Sequence, residues 1–332
     1  MEAIAISFLF AFLNPAHERR ARALIAREWP HLPVSLSSEV DPGFREYERT
    51  VVTAFDAYIK PVVGRYLERL EMRLREAGIG VPLQLMQSRG GIAASTIARQ
   101  RPVRLFLSGP AGGVIGGRAE GARAGEHDVI TIDIGGTSSD IALIAAGAPL
   151  IVPEGRIGRW PVRVPMVGVH AIGAGGGSIA RADAAGGLRV GPQSAGADPG
   201  PACYGNGGCQ ATVTDASLVL GYLNPDYFAG GAFRLDPEAA RRVIAERIAA
   251  PLGLSVEAAA IGIHRVVNAG MAEGMRLVSI RQGYDPRRFA LVALGGAGPV
   301  HAIALADELG IARVVVPRSP GVLSAAGLLA AP

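Results

Sequence analysis

The residues best suited to chemistry lie in one stretch, DVITIDIGGTSSDIALI, which spans residues 128–144. An apolar, β-branched run leads to Asp133, and Gly135 and Gly136 then turn the chain before a second apolar run. Adjacent glycines leave backbone N–H groups uncovered by any Cβ, which suits a phosphate, and Thr137 and Ser138 add hydroxyl donors. Asp133 offers the carboxylate oxygens that Mg²⁺ prefers. The stretch predicts either a phosphate-binding β-hairpin or a plain hairpin whose glycines serve only the turn.

Two further glycine turns follow in the chain, GAGGGSIA and GGAGPVHA. The last is predicted to join a strand to a helix, a context that suits a nucleoside. Three such turns within one domain invite a shared ligand. The candidate ligand-binding residues of the two later turns are Gly175, Gly176, Gly177, Gly295, Gly296, Gly298 and His301. His301 begins the helix that follows the last of these turns, where it either lines a ligand cleft or packs against a neighbouring element.

Two familiar phosphate-binding loops are excluded. Lys60 is the single lysine of the chain, so no turn is a Walker A loop, G-x-x-x-x-G-K-[ST]. The turn at Gly135 and Gly136 leads into a strand and not into a helix, which removes the dinucleotide-binding context. The predicted strand–turn–strand arrangement therefore needs another explanation.

Composition narrows the class of protein. The 332 residues suffice for two domains, and the net charge is only +4, with arginines that alternate with glutamates along predicted helices. We therefore predict no nucleic-acid partner. No apolar run reaches about 18 residues, so we predict no membrane span. Cys203 and Cys209 are too few for a disulfide framework or a complete zinc site, which favours loop packing and a cytoplasmic location.

The remaining elements position these turns. The first part alternates strands and helices, with helices predicted over 16–28, 46–58 and 61–77. A glycine-rich helix then leads to about Ala124, and a second domain opens at Asp128. This rhythm predicts a sheet covered by helices.

Several segments together resemble the hydantoinase A/5-oxoprolinase family, which includes ATP-dependent N-methylhydantoinases, 5-oxoprolinases, and acetone and acetophenone carboxylase subunits. The resemblance extends over essentially the whole chain. The segments that carry it are DIGGTSSD, LSGPAGGVIGG, GAGGGSIA, VGPQSAGADPGPACYG, VTDASLVLG, GYDPRRF, GGAGPVHA and SPGVLSAAG.

The resemblance implies an α/β fold of the actin/sugar-kinase/heat-shock-70 type, in which two ribonuclease-H-like domains close on ATP and Mg²⁺. Residues 1–124 would be the later part of the first domain with the connecting helix, and 125–332 the second domain. Family members carry another D-x-G-G-T-x-T-D hairpin near their N-terminus and continue further at the C-terminus. The chain is therefore expected to be an internal portion with an incomplete first domain and half of the phosphate clamp.

The resemblance also implies roles for the candidate residues. Asp133 would be catalytic and organise Mg²⁺, and Asp140 would be catalytic or orient the hairpin. A helix carrying Glu273 and Arg276 would flank the base. The residues implied to contact ATP are Gly135, Gly136, Thr137 and Ser138 at the phosphates, Gly175, Gly176 and Gly177 in the cleft, and Gly295, Gly296, Gly298 and His301 at the adenosine.

The activity implied is ATP-dependent ring opening of a cyclic amide such as a hydantoin or 5-oxoproline, through phosphorylation of the amide oxygen. The partners expected are a hydantoinase B-type subunit, a small cyclic amide and further subunits of an oligomer. Two alternatives stay open: an ATP-dependent ketone carboxylase subunit, and an inactive nucleotide-binding fragment.

Overall fold

The computed structural model describes all 332 residues, in two compact units. Unit 1 contains Met1–Gly112, Ile151–Gly168 and Leu328–Pro332, and unit 2 contains Gly113–Leu150 and Val169–Gly327. This division differs from the predicted boundary after residue 124. The glycine-rich helix belongs mostly to unit 2, because its small residues pack on the sheet of that unit. Residues 151–168 return to unit 1, where their apolar side chains complete a core.

Strands and helices are interspersed up to residue 123, ten consecutive strands follow over residues 129–194, and the remainder is mainly helical. The strands are β1 (Ile4–Ile6), β2 (Val34–Leu36), β3 (Gln84–Met86), β4 (Ile92–Ala94), β5 (Val129–Ile134), β6 (Ser139–Ala145), β7 (Ala148–Pro149), β8 (Ile151–Val152), β9 (Gly155–Ile157), β10 (Trp160–Val162), β11 (Met166–Val167), β12 (Val169–Ile172), β13 (Ser178–Ala182), β14 (Leu188–Ser194), β15 (Ala290–Leu294) and β16 (Arg313–Val315). The helices are α1 (Ala16–Glu28), α2 (Ser37–Val40), α3 (Glu46–Glu76), α4 (Ser95–Gln100), α5 (Ser108–Arg123), α6 (Val213–Val219), α7 (Pro237–Ile244), α8 (Ala250–Leu252), α9 (Val256–Val278), α10 (Gly298–Leu309) and α11 (Leu323–Gly327).

The longest helix, α3, corrects the prediction of two helices separated near residue 60. It continues through Pro61, which removes only the hydrogen bond to the carbonyl of the residue four positions earlier. Val52 and Leu67 are buried on either side of the proline. An ion pair between Lys60 and Asp56, 3.1 Å apart, adds a contact just before it. Packing on both sides therefore keeps the helix continuous.

Unit 1 has a small apolar core. Strands β1 and β2 pair in parallel, and a separate cluster forms where the returning segment meets α3. Asp56 is fully buried in this unit and accepts hydrogen bonds from the Ser35 hydroxyl at 2.6 Å and the Val103 N–H at 3.2 Å. The buried cluster contains Val40, Val52, Val103, Val162, Val164 and Met166.

Unit 2 is built on one central sheet with strand order β12-β6-β5-β15-β16, and β7 pairs with β6. The β5–β6 pair is antiparallel, whereas β15 lies parallel to both β5 and β16. Strands β5 and β15 are buried along nearly their whole length, as expected for the centre of a sheet covered on both faces. Helices α6, α9 and α10 contribute to the core on this sheet.

Helix α5 lies very close to β5 because its facing residues have no side chain. A Cβ placed on Gly117 would lie 2.4 Å from the Thr131 methyl carbon, and one on Gly121 would lie 2.7 Å from a methyl carbon of Val129. The glycines of this helix therefore set the distance between helix and sheet.

No single helix combines the length and hydrophobicity needed to cross a bilayer. The segments 237–252 and 256–282 reach that threshold only when taken together, and they are bent by 86° relative to each other.

Candidate functional site

The site forms at the edge of the unit 2 sheet where β5 and β15 end. These strands are parallel neighbours, and Asp133 of β5 pairs with Leu294 of β15. Because both strands run in the same direction, the glycine turns that follow them emerge side by side. The Ala297 N–H donates to the Ile134 carbonyl at 3.0 Å and connects the two turns directly. Two of the predicted glycine turns therefore meet at one edge.

The first turn is the strand–turn–strand hairpin between β5 and β6. Asp133 lies opposite Asp140 in the antiparallel register, and the Gly135 N–H donates to the Ser138 carbonyl at 3.0 Å. Gly135, Gly136 and Thr137 are exposed, and Ser138 is half-buried. Neither glycine has a positive φ, and a Cβ on Gly136 would meet no atom within 4 Å. The glycines therefore leave the backbone open to a ligand and are not required by the turn conformation.

The second turn, Gly175–Gly177, hydrogen-bonds directly to the hairpin. The Gly176 N–H donates to the Gly135 carbonyl at 2.9 Å, and the Gly177 N–H to the Gly136 carbonyl at 2.6 Å. All three glycines are buried, and a Cβ on Gly175 would lie 2.7 Å from the Gly135 carbonyl oxygen. Sequence reasoning placed these residues in the ligand cleft. The structure places them in direct contact with the hairpin, and their contact with a ligand stays a prediction.

The start of α6 contacts the Gly175–Gly177 turn in its turn. The Thr214 N–H and hydroxyl both donate to the Gly176 carbonyl, at 2.7 and 2.8 Å. Asp215 and Thr212 form a reciprocal cap at the helix start. Asp215 also accepts from the Cys203 N–H at 2.8 Å. The buried Asp215 carboxylate is therefore linked to the Gly175–Gly177 turn through its neighbour in α6, Thr214.

Neither cysteine is placed for chemistry at this site. Both are free thiols, with Cys203 buried and Cys209 exposed. Burial and the neighbouring Asp215 carboxylate raise the pKa of the Cys203 thiol far above its usual range. Cys203 therefore stays protonated and packs in a small apolar cluster with Leu218 and Leu235.

Asp133 occupies a confined, partly desolvated position. Its Oδ2 accepts a hydrogen bond from the Ser324 hydroxyl at 3.1 Å, and a Cβ on Gly295 would lie 2.4 Å from its Oδ1. Burial raises the pKa of Asp133, and the Ser324 hydrogen bond partly opposes this shift. Burial and the nearby Asp133 charge raise the pKa of Asp140. Ser324 was not singled out from the sequence, although it lies in the segment SPGVLSAAG.

Two carboxylates with raised pKa values at one edge form a setting that favours a cation. No group of three or more His, Cys, Asp or Glu side chains gathers anywhere in the structure to hold a metal ion. Mg²⁺ commonly uses one or two carboxylates together with substrate phosphates and water. Asp133 and Asp140 therefore fit a Mg²⁺ ion that arrives with a nucleotide, and do not form a closed metal cage.

The third turn joins β15 to α10. Gly295 has φ +80°, in the left-handed region, and its N–H donates to the Pro320 carbonyl at 3.0 Å. Gly296 is exposed, whereas Gly298 is buried at the start of α10. Gly296 is thus the most accessible glycine of this turn.

His301 does not line an open cleft. It is 1% exposed, and its Nδ1 lies 2.7 Å from the Asn268 Oδ1. Its ring stacks on that of His264 with centroids 5.0 Å apart, and the His264 Nε2 lies 3.0 Å from the Ser217 hydroxyl. Burial lowers the pKa of His264 to about 4, and burial with the adjacent His264 lowers that of His301 to about 3. One turn into α10, position 301 faces α9 and not the glycine turn.

Arg276 and Glu273 are also far from the glycine turn. Arg276 pairs with Glu308 at 2.8 Å, near the C-terminal end of α10, whereas the turn lies at the N-terminal end of that helix. Ten residues of helix separate Gly298 from Glu308, or about 15 Å. That these residues flank the base of a nucleotide stays a prediction.

Comparison with known proteins places this chain in one family. The hydantoinase/oxoprolinase family profile matches residues 49–332. The caprolactamase subunit alpha of Pseudomonas jessenii is 46% identical over 98% of this chain and 47% of its own length. The acetophenone carboxylase gamma subunit of Aromatoleum aromaticum is 39% identical over 96% of this chain and 44% of its own length. The 5-oxoprolinase of Saccharomyces cerevisiae is 37% identical over 100% of this chain and 26% of its own length. The chain thus spans about half or less of these relatives.

Two solved structures share its fold. The ATP-dependent caprolactamase from Pseudomonas jessenii superposes with a TM-score of 0.88 at 46% identity, over 99% of this chain and 48% of that one. The nucleotide-free acetone carboxylase superposes with a TM-score of 0.84 at 35% identity, over 99% of this chain and 47% of that one. The predicted α/β fold is confirmed, and the chain shares it with these two enzymes. The chain belongs to the hydantoinase/oxoprolinase family.

Proposed function

We propose that the protein takes part in ATP-dependent ring opening of a cyclic amide. The observation that carries this proposal is the partly buried Asp133 beside an open glycine hairpin, at the edge where β5 and β15 end. The similarity to a caprolactamase subunit and to 5-oxoprolinases supports the choice of a cyclic amide.

The chemistry follows from the stability of the amide bond. Resonance makes the amide carbon a poor electrophile. Transfer of the γ-phosphoryl group of ATP to the amide oxygen leaves ADP and converts that oxygen into part of a phosphate leaving group. Water then adds to the carbon, and the C–N bond of the ring breaks to give an amine and an acyl phosphate. A second water hydrolyses the acyl phosphate, which releases the carboxylate and inorganic phosphate.

The residues of the hairpin would act mainly by positioning. The N–H groups at Gly136 and Thr137 and the hydroxyls of Thr137 and Ser138 would hold phosphate oxygens, because preorganised donors stabilise charge that develops during phosphoryl transfer. Asp133 and Asp140 would hold Mg²⁺, which neutralises charge on the transferring phosphoryl group. Ser324 would fix the Asp133 carboxylate in one orientation.

The second candidate function is the ATP-dependent carboxylation of a ketone. The acetophenone carboxylase gamma subunit and the acetone carboxylase beta subunit are similar over nearly the whole chain. In that case the γ-phosphoryl group would go to the oxygen of an enolised ketone. We rank it second because these relatives are 39% and 36% identical, below the 46% of the caprolactamase subunit.

A partner subunit also belongs to the proposal. The caprolactamase and carboxylase relatives are named as subunits, and a hydantoinase B-type chain would supply the rest of the active assembly. We further propose that the assembly is an oligomer in the cytoplasm.

The test is to express the protein with a hydantoinase B-type subunit and to measure ADP release with caprolactam, hydantoin, 5-oxoproline, acetone and acetophenone. Stimulation by a cyclic amide supports the first function, and stimulation by a ketone supports the second. The absence of ADP release with every compound would contradict both and favour a nucleotide-binding module without catalysis.

Asp133→Asn is expected to reduce the stimulated activity by about 100-fold or more, because it removes the carboxylate charge that would hold Mg²⁺. Its stability at neutral pH is expected to hold or rise, since the raised pKa shows that the folded state disfavours this charge. Asp307→Asn, at an exposed position of α10, is the matched control and should leave the activity unchanged. Full activity in Asp133→Asn would exclude the assigned role.

A further inference from the structure

Unit 1 contains a small cavity with an unusual charge. Its volume is about 100 Å³, the space of about three water molecules in the liquid. Two arginines and one glutamine are among the residues that line it. The lining residues are Gln87, Ser88, Arg89, Arg104, Val164 and Pro165.

The backbone that presents the two arginines is tightly held. Arg89 lies in the turn between β3 and β4, where the Gln87 N–H donates to the Gly91 carbonyl at 2.8 Å and the Gly90 N–H donates to the Gln87 carbonyl at 2.9 Å. Gly90 has φ +82°, a conformation that this close turn reserves for glycine. Arg89 is therefore fixed at its Cα although its side chain is exposed.

Ser88 connects that turn to the segment carrying Arg104. It is 1% exposed, and its N–H and hydroxyl lie 2.8 and 2.7 Å from the Arg104 carbonyl oxygen, to which both donate. The same hydroxyl lies 2.6 Å from the Phe106 carbonyl oxygen. These contacts hold the two arginine-bearing segments in register, so the guanidinium groups share one cavity without a direct bond between them.

The positive charge at this place is not balanced by the protein. Arg89, Arg101 and Arg104 form no ion pair, in contrast to Arg99 and Arg163 of the same unit. Burial lowers the pKa of Arg104, and the charges of Arg101 and Arg89 add to that effect.

Asp56 is the one carboxylate whose charge raises the pKa of Arg104, and it already has other partners. Asp56 is fully buried, accepts from Ser35 and the Val103 N–H, and pairs with Lys60 at 3.1 Å. Like charges held close together in a rigid cavity repel each other unless an anion joins them.

We propose that the cavity formed by Gln87, Arg89 and Arg104 binds an oxyanion, a carboxylate or phosphate group of a small molecule. Guanidinium groups match the planar, two-oxygen geometry of both groups. The Gln87 amide adds a neutral donor, and the volume limits the ligand at this point to one such group. The inference goes beyond the proposed function, since it requires neither ATP nor amide hydrolysis.

A small molecule that bears a carboxylate is one source of the oxyanion. A ring that bears a carboxylate, as 5-oxoproline does, gains a contact here that caprolactam lacks. The same pocket would equally hold free phosphate, so the two sources of the oxyanion must be separated by experiment.

The experiment is isothermal titration of the 332-residue chain, without ATP and at constant ionic strength. The probes are inorganic phosphate, 5-oxoproline and 2-pyrrolidinone, which is the same ring as 5-oxoproline without its carboxylate. We expect at least one of the two anions to bind, and 2-pyrrolidinone to bind at least tenfold more weakly than 5-oxoproline if the carboxylate is the ligand. Binding of phosphate alone would assign the site to a phosphate group.

Arg89→Gln is the decisive variant, because Arg89 is exposed and its loss does not affect a core. It should weaken binding of the anion about tenfold, whereas Arg69→Gln, an exposed arginine of α3, should leave it unchanged. The readout is the difference between the two variants, so phosphate held by the glycine hairpin of unit 2 does not enter. Equal affinity in Arg89→Gln and the parent chain, or no binding of either anion, would overturn the proposal.

Discussion

Asp133 and Asp140 place two negative charges where solvation is incomplete. Burial raises both pKa values, so between the ordinary value of 3.8 and the folded value the native state binds more protons than the unfolded state. Stability is therefore greatest at low pH with respect to these groups, and it falls as the pH rises through their folded pKa values. A bound divalent cation would reverse this penalty, which links metal binding to the stability of the hairpin.

The stacked pair His264 and His301 acts in the opposite direction. Both pKa values are lowered, so the stability from the neutral rings is complete above pH 6.5 and is lost as the pH falls towards their folded values near 4 and 3. At pH 5 each histidine should cost about 2 kcal/mol relative to pH 7. The double variant His264→Gln, His301→Gln should therefore lose less stability than the parent between pH 7 and pH 5.

Urea unfolding at the two pH values measures this difference. His17→Gln, at an exposed position, is the control and should behave as the parent chain does. An unchanged pH dependence in the double variant would show that the buried pair is not the source of the acid sensitivity.

For single residues, the sequence predicted which side chains could bind a ligand but not which side chains surround them. The carboxylate and glycines of DIGGTSSD stand out from their pattern alone. Ser324 does not, because it contacts Asp133 from 191 positions away in the chain. His301 was ambiguous for a related reason: the residues that cover it, Asn268 and His264, lie on a different helix.

Among the elements, the Gly175–Gly177 turn packs against the hairpin at Gly135 and Gly136. Only the hairpin is exposed to solvent. Gly175 supports the hairpin from below, whereas Gly136 lies at its exposed face. Gly175→Ala should destabilise the protein by about 1–3 kcal/mol, because the new Cβ meets backbone atoms that cannot move independently. Gly136→Ala should change stability by less than about 0.5 kcal/mol. The same change should weaken binding of Mg²⁺·ATP about tenfold, since a Cβ would cover the N–H groups.

Thermal unfolding and nucleotide titration of the two variants test both parts. The proposal for the hairpin fails if Gly136→Ala binds nucleotide as the parent does. The structural argument for Gly175 fails if its alanine variant unfolds at the parent temperature.

Local patterns predicted the elements best where one strand follows the next. The β5–β6 hairpin is visible as two apolar runs around a glycine turn, and its register needs no distant residue. Helix α3 was harder, because a proline normally marks a helix start and the packing that keeps the helix continuous on both sides of Pro61 cannot be seen locally.

For the molecule as a whole, the two units differ in how much apolar surface they bury. The core of unit 2 extends through its sheet and covering helices, whereas unit 1 has a small cluster. Tyr58, Val62 and Tyr66 of α3 are 80%, 60% and 56% exposed at successive helical turns. We expect the amides of α3 to exchange hydrogen at a lower free energy than those of β5 and β15.

Hydrogen exchange followed by mass spectrometry measures this difference on peptides of each element. Peptides from α9 serve as a helical reference within unit 2, so that helix and strand are not confused. Equal protection of α3, α9 and β5 would contradict the expected ranking of the two units.

The fold class was predicted correctly from the family resemblance, while the extent of each unit was not. The chain leaves unit 2 after Leu150 and returns at Val169, and the intervening strands bury Val162, Val164 and Met166 in unit 1. Nothing in the alternation of apolar residues distinguishes a strand of one unit from a strand of another.

The pairing of β5 with β15 also sets an order of events during synthesis. Asp133 emerges from the ribosome long before Leu294, its neighbour in the finished sheet. The β5–β6 hairpin can form as soon as it is made, but the second neighbour of β5, the parallel strand β15, arrives only after roughly half the chain has followed. Contacts between such distant residues form slowly. During that interval one edge of β5 is unpaired and apolar, so the nascent chain has its greatest need of chaperones before the site exists.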